Sequence, residues 1–128
     1  MAQQSAGFHE DAEALKPETQ DRHRAIASIM EELEAVDWYD QRVDAAGDEE
    51  LRAILAHNRD EEKEHAAMVL EWLRRRDASL DEQLRNYLFV DKPVMEREAE
   101  IDAAETTAQD EAESGSLGIG SLRGTVNR

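Results

Sequence analysis

The chain has 128 residues, carries a formal net charge of −16 and contains no cysteine. A surface of this sign repels phosphate groups and concentrates cations, so we expect no nucleic-acid partner. Without cysteine there is no disulfide, thiolate metal site or thiol catalysis. The polar start, Met1 to Glu10, lacks the apolar centre of a secretion signal, and no stretch approaches the ~20 apolar residues of a membrane span. We therefore expect a cytoplasmic protein with no membrane partner.

The first half of the chain predicts one long helix. Residues 1–15 are polar and aperiodic, and we expect them to be disordered. Helical periodicity begins at Pro17, which a first helical turn accepts, and continues to Asp44. Its apolar residues recur at spacings of three and four, which indicates one buried face: Ile26, Ile29, Met30, Leu33 and Val36. Gly47 suits the end of this helix, and Asp48 suits the N-cap of the next.

A second helix of similar length is predicted from about Glu49 to Arg76. Its inner side carries Leu51, Ile54, Leu55, Val69, Trp72 and Leu73. Two equal helices joined by a short loop indicate an antiparallel hairpin. A short third helix follows, with Ser79 and Glu82 as its capping box. The predicted fold class is all-α, with this helical domain at residues 16–90.

The composition changes twice after the helical domain. Residues 94–113 are rich in Glu, Asp, Ala and Thr, and we expect residues 91–116 to form an acidic, flexible linker, with residual helix as the alternative. In residues 117–124, Leu117, Ile119 and Leu122 are apolar anchors among glycines. Such anchors at the end of a solvated tether suit a peptide that docks into a groove of a partner. Residues 125–128 are expected to be a disordered end.

A polar layer interrupts the apolar stripes of both long helices. Glu62 and His65 lie on one row of the second helix, and Glu32 is a lone carboxylate within the stripe of the first. A buried, unpaired carboxylate costs several kcal/mol, and a divalent metal would offset that cost. Residues three apart on a helix have Cβ atoms about 5–6 Å apart, so Glu62 and His65 can reach one ion.

The number of these ligands predicts a dimer. Ferritin-like di-iron proteins use two Glu-x-x-His motifs and two further Glu residues from four helices, and this chain supplies half of that set. Two copies around a two-fold axis would supply the whole and would form a ferritin-like four-helix bundle only on dimerisation. The alternative interpretation is a polar layer that fixes the register of a helical bundle.

The chain resembles the encapsulated ferritins from end to end. The resemblance lies in residues 30–39 (MEELEAVDWY), 57–65 (HNRDEEKEH) and 117–122 (LGIGSL). It implies a half-ferritin that pairs into four-helix bundles and assembles as a homodecamer, a ring of five dimers. It also implies a ferroxidase, in which Glu32, Glu62 and His65 from both subunits hold two irons. Oxygen would oxidise ferrous to ferric iron, which is stored as mineral inside an encapsulin nanocompartment.

The same resemblance implies further metal positions. Glu31 and Glu34, paired across a dimer, would form an acidic mouth through which iron enters, and oxygen ligands of this kind also suit calcium. His57, Glu61 and Glu64 share one exposed helix face and would form a peripheral metal site. The alternatives are a solvated face for the first pair and ordinary side-chain pairing within a helix for the second group.

Two aromatic residues and the tail complete the functional prediction. We expect Trp38 to anchor the core or the interface and Tyr39 to orient a ligand carboxylate through a hydrogen bond. The resemblance implies that the C-terminal peptide binds the encapsulin shell protein. Two other functions stay open: a non-catalytic helical adapter that is carried as cargo, and a different di-iron activity such as peroxide reduction.

Overall fold

The computed structural model describes the backbone of residues 7–126 and the side chains of residues 7–114. This part of the chain is helical and contains no strand, which confirms the all-α prediction. In chain order the elements are a 3-10 turn at Ala12–Ala14, then α1 (Pro17–Ala45), α2 (Glu49–Arg74), α3 (Ala78–Tyr87) and α4 (Val94–Val126). None of the described helices is long and apolar enough to cross a membrane.

The ends of α1 and α2 follow local sequence signals. Pro17 opens α1, where its missing N–H costs nothing. Asp48 caps α2, because its side chain accepts a hydrogen bond of 2.8 Å from the backbone N–H of Leu51. Gly47 lies in the short connection without a positive φ, so the turn does not require the left-handed conformation that glycine permits.

Helices α1 and α2 form the predicted antiparallel hairpin. Asp40 accepts a hydrogen bond of 3.0 Å from Arg59, and Glu32 lies 3.6 Å from His65. Glu32 precedes Asp40 on α1, whereas its partner His65 follows Arg59 on α2. The two helices therefore run in opposite directions. The hairpin belongs to a compact unit of residues Met1–Asp81.

The N-terminal segment differs from the predicted disorder over residues 7–15. The side-chain amide of Gln20 donates to the backbone carbonyls of Ala12 and Leu15, at 3.0 and 3.3 Å. The ring of Phe8 packs on that of His23, with centroids 4.6 Å apart. The partners of this segment are therefore supplied by α1, which the local composition does not reveal.

The start of α3 also differs from the prediction. Asp77, rather than Ser79, accepts the hydrogen bond of 3.0 Å from the backbone N–H of Leu80. The Ser79 hydroxyl donates to the same carboxylate. A carboxylate is a stronger acceptor for a helix N-terminus than a hydroxyl, so the cap moves to Asp77 and the helix begins at Ala78.

A second compact unit comprises residues Glu82–Arg128. The segment predicted as a flexible linker is helical here, since α4 begins at Val94. Glu, Ala, Gln, Met and Arg are strong helix formers, and this propensity outweighs the scarcity of apolar residues. Lys92 pairs with Glu100 at 2.9 Å, and Arg97 donates to the carbonyl of Asn86 at 2.8 Å. The proposed anchors Leu117, Ile119 and Leu122 lie outside the described side chains.

The described part of the single chain buries few apolar side chains. Among the described side chains, the buried apolar ones are Ala25, Ala66 and Leu73. Large apolar side chains on both long helices stay exposed, including Leu33, Trp38, Ile54 and Met68. Apolar side chains that stay exposed in this way favour association with another apolar surface.

Candidate metal centre

Glu32, Glu62 and His65 meet where α1 packs on α2. Each offers one ligand atom, and these atoms all lie within 4.8 Å of one another. Nδ1 of His65 lies 3.5 Å from a carboxylate oxygen of Glu62 and 3.6 Å from one of Glu32. The antiparallel hairpin thus brings a carboxylate from α1 to the Glu-x-x-His pair of α2.

The donor set suits a divalent first-row metal ion. Carboxylate oxygens are hard ligands, and an imidazole nitrogen suits first-row metals such as iron and zinc. Residues Glu62 and His65, three positions apart, point along one face of α2, so a single ion can contact both. The chemistry of the three donors therefore fits a divalent transition metal, with room for further ligands from elsewhere.

The two carboxylates of the cluster crowd one another. Glu32 and Glu62 are half-buried, with 26% and 24% of their side chains exposed. The pKa of Glu32 is raised, first by its hydrogen bond with Glu62, then by burial and by the negative charge of Glu62. The nearby His65 opposes part of this rise. A cation between the carboxylates would relieve the repulsion that raises the pKa.

Small residues continue the rows on which the ligands lie. Ala25 lies two helical turns before Glu32, and Ala66 lies one turn after Glu62. Both alanines are buried, at 8% exposure each. Because the helices are antiparallel, both alanines lie on the side of the cluster toward the start of α1 and the end of α2, where their short side chains let the two helices approach.

Only two of the three residues predicted to form the peripheral metal site, His57 and Glu61, lie close together. Glu61 lies between two histidines: Nε2 of His57 is 3.3 Å from one of its oxygens, and Nε2 of His65 is 3.9 Å from the other. Within the described side chains, Glu64 does not join His57 and Glu61 at metal-ligand spacing. The structure thus links Glu61 to the main cluster, a connection that the helical spacing of four already allowed.

Glu31 and Glu34, which were predicted to form the iron entry site, are not part of the Glu32–Glu62–His65 cluster. Glu31 is exposed and Glu34 is half-buried on α1. Among the described residues they do not form a metal cluster within one chain. A site that pairs them with a second copy stays a prediction.

Trp38 and Tyr39 both contact the guanidinium of Arg42, a residue that was not among the predicted site residues. The guanidinium of Arg42 is 6.0 Å from the ring centroid of Trp38 and 5.4 Å from that of Tyr39. Their spacings of four and three along α1 are the signal that would have found this contact. Among the described residues, no hydrogen bond joins Tyr39 to a carboxylate of the cluster, so that role stays a prediction. Trp38 is half exposed, as an anchor without its partner would be.

The chain is similar to proteins that are named as encapsulated ferritin-like or as encapsulin cargo. A family model described as EncFtn-like matches residues 7–91. The chain is 63% identical over 130 residues to the encapsulated ferritin-like protein of Rhodospirillum rubrum, covering 97% of this chain and 93% of that protein. It is 30% identical over 127 residues to the encapsulin nanocompartment cargo protein EncC of Myxococcus xanthus, covering 94% and 98%.

Two further similarities agree with these. The chain is 51% identical over 115 residues to a ferritin-like protein of Thermotoga maritima, covering 90% of this chain and 96% of that protein. The crystal structure of a protein from Nitrosomonas europaea superposes with a TM-score of 0.67 at 62% identity. That superposition covers 69% of this chain and 97% of the other, so nearly all of the Nitrosomonas protein matches.

Proposed function

The chain belongs to the encapsulated ferritin-like family, and on that basis we propose that it is a ferroxidase. In this proposal it oxidises ferrous to ferric iron with oxygen at a di-iron centre shared by two copies of the chain. The observation that carries the proposal is the meeting of Glu32, Glu62 and His65, with ligand atoms within 4.8 Å of one another.

Two features of the single chain support a shared centre. Three donors are half of what a di-iron site of the ferritin type uses, and a second hairpin around a two-fold axis would supply the other half. The hairpin also leaves Leu33, Trp38, Ile54 and Met68 exposed by half or more. Fully burying a side chain of this kind from water contributes about 1.5–3 kcal/mol, and covering the exposed half contributes roughly half of that, so pairing into a four-helix bundle would be favourable. A homodecamer of five such dimers is part of the proposal.

The chain's own residues have definite tasks in this reaction. Glu32 and Glu62 bind ferrous ions through their carboxylate oxygens, and His65 contributes a neutral nitrogen. The hydrogen bond with Glu62 and partial burial raise the pKa of Glu32, and a bound cation would favour the ionised form of this carboxylate. Iron is the substrate, and each ferrous ion gives one electron to oxygen. The acidic surface, with a formal charge of −16, raises the local concentration of the cation.

We further propose that the protein is cargo of an encapsulin shell and supplies ferric iron for storage inside that nanocompartment. The relatives named as encapsulated and as encapsulin cargo match 97% and 94% of this chain. In this proposal residues 117–124 are the docking peptide, and Leu117, Ile119 and Leu122 are its anchors. Glu31 and Glu34 would form the acidic mouth for iron, with calcium as another occupant.

The test is aerobic oxidation of ferrous iron by the full chain, followed by absorbance. Glu62→Ala and His65→Ala should reduce the rate to that of iron in buffer, while circular dichroism shows that the helices persist. Glu50→Ala is the matched control, because it removes an exposed carboxylate from the same helix outside the cluster. Its rate should equal that of the unaltered protein.

The same assay distinguishes the other two functions. If the unaltered protein oxidises iron no faster than buffer does, only a helical cargo adapter remains. If peroxide oxidises the bound iron faster than oxygen does, peroxide reduction replaces the ferroxidase function on the same ligands.

A further inference from the structure

We propose that Glu61 is a positioning residue for the metal centre, which acts by accepting a hydrogen bond from Nε2–H of His65. The proposal rests on the proposed function, since it assigns a residue that prepares the histidine ligand for iron. It differs from the peripheral metal site predicted for Glu61, because here Glu61 acts through His65 and holds no ion of its own.

The two ring nitrogens of His65 face opposite ways. Nδ1 points into the cluster, 3.5 Å from Glu62 and 3.6 Å from Glu32. Nε2 points out of the cluster toward Glu61, at 3.9 Å. A neutral imidazole carries one proton, so a ring that offers Nδ1 to a metal must carry that proton on Nε2. The carboxylate that faces this N–H is that of Glu61.

Helical spacing holds Glu61 beside His65. The two residues are four positions apart on α2, which makes them neighbours on one face. Both side chains are 46% exposed and retain rotamer freedom, so a small rotation closes the 3.9 Å separation to the ~2.9 Å of a hydrogen bond. Binding of a metal at Nδ1 favours that closure, because it makes the Nε2–H a better donor.

His57 occupies the other oxygen of the same carboxylate. Its Nε2 lies 3.3 Å from Glu61 Oε1, while His65 faces Oε2. The carboxylate of Glu61 therefore lies between two imidazoles along one row of α2. Carboxylates that orient metal-binding histidines in this way affect metal affinity by roughly 10–100-fold when they are removed.

A double-mutant cycle on the full-length protein tests whether Glu61 acts through His65. Cobalt(II) is the probe, because its visible absorption reports ligation and its affinity can be measured by competition with a chelator. We expect Glu61→Ala to weaken cobalt binding about 10–100-fold and to alter the cobalt spectrum. Glu61→Gln should recover most of the affinity, since its amide oxygen also accepts from Nε2–H. Glu50→Ala should match the unaltered protein.

The decisive comparison is made in the His65→Ala background. If Glu61 acts through His65, Glu61→Ala causes no further loss of affinity there. An equal loss in both backgrounds would mean that Glu61 binds an ion itself, and would overturn the proposal. Unchanged affinity in the single Glu61→Ala variant would also overturn it.

Ferrous oxidation by the unaltered protein is measured in parallel and tests the proposed function separately. If oxidation is absent while the cycle shows the expected coupling, the positioning role of Glu61 stands and the ferroxidase proposal fails. If oxidation is fast while the cycle shows no coupling, the ferroxidase proposal stands and the role of Glu61 is refuted.

Discussion

A carboxylate oxygen of Glu32 in α1 lies 3.6 Å from Nδ1 of His65 in α2. The two residues are on different helices, so this distance depends on how the hairpin packs and on no second chain. Each copy therefore prepares its half of the proposed centre before it meets a partner.

Replacing one crowded carboxylate should stabilise the metal-free protein. The pKa of Glu32 is raised in the folded chain by Glu62 and by burial. A carboxyl group with a raised pKa holds its proton more tightly when folded, so its ionisation reduces the free energy of unfolding as pH rises above its ordinary value of 4.5. Glu32→Gln should thus raise the Tm of metal-free protein at pH 8 by a few °C, as a change of about 0.5–1 kcal/mol would.

The same variant should lose stabilisation by metal. Ferrous iron or cobalt raises the Tm of a protein that binds it only when folded, and Glu32→Gln lacks one ligand for it. Thermal scans with and without metal under argon provide the measurement, and Glu50→Gln is the control. A Tm for metal-free Glu32→Gln at or below that of the unaltered protein would contradict the prediction.

Glu71 should support the end of α2 only above acidic pH. Arg74, and then Arg75, lower the pKa of Glu71 to about 2. A lowered pKa means that the ionised group stabilises the fold above the ordinary value of 4.5, and that this stabilisation is lost as pH falls toward 2. Arg74 also contacts Asp81, so it keeps a partner when Glu71 is replaced.

The Tm difference between the unaltered protein and Glu71→Gln should therefore be greatest above pH 4.5 and shrink as the solution is acidified. Circular dichroism melts at closely spaced pH values measure it. A difference that is independent of pH would show that Glu71 contributes through packing and not through its charge.

Phe89 has a backbone conformation that suits glycine better. Its φ is 60°, and it follows Leu88, the first residue after α3, whose N–H donates to the carbonyl of Leu84 at 2.8 Å. Its side chain is fully exposed in the single chain. Because the left-handed region costs an L-residue about 1–2 kcal/mol, Phe89→Gly should raise the free energy of unfolding by about 1 kcal/mol.

Chemical denaturation measures this change, and Phe89→Ala is the control because it removes the ring and keeps the strain. The alanine variant should show no gain. A loss of stability in both variants would contradict the prediction and would show that the ring packs against another copy of the chain.

Removing residues 114–128 should separate targeting from catalysis. Co-expression with an encapsulin shell protein and purification of the shell measure loading, and ferrous oxidation by the truncated protein measures activity. We expect loading to be lost and oxidation to be retained. Serine at positions 117, 119 and 122 (Leu117→Ser, Ile119→Ser, Leu122→Ser) is the finer variant, and unchanged loading would refute the role of this peptide.

Local sequence determined the hairpin and its polar cluster. Pro17 and Asp48 act on the backbone within one turn of themselves, so the starts of both long helices could be predicted from single residues. Helical periodicity alone places Glu62 and His65 on one face, and an antiparallel partner of equal length places Glu32 opposite them. These features require only the fixed geometry of the α-helix.

The tertiary structure decided what depends on competition or on distant contacts. Asp77 and Ser79 are both suitable N-cap residues, and the structure shows that the Asp77 carboxylate accepts the hydrogen bond from the backbone N–H of Leu80. The order of residues 7–15 depends on Gln20 and His23 of α1, which local composition does not report. The orientation of the His65 ring, with Glu61 on its outer nitrogen, follows from packing at the cluster, because a rotamer is chosen by its surroundings and not by its own residue type.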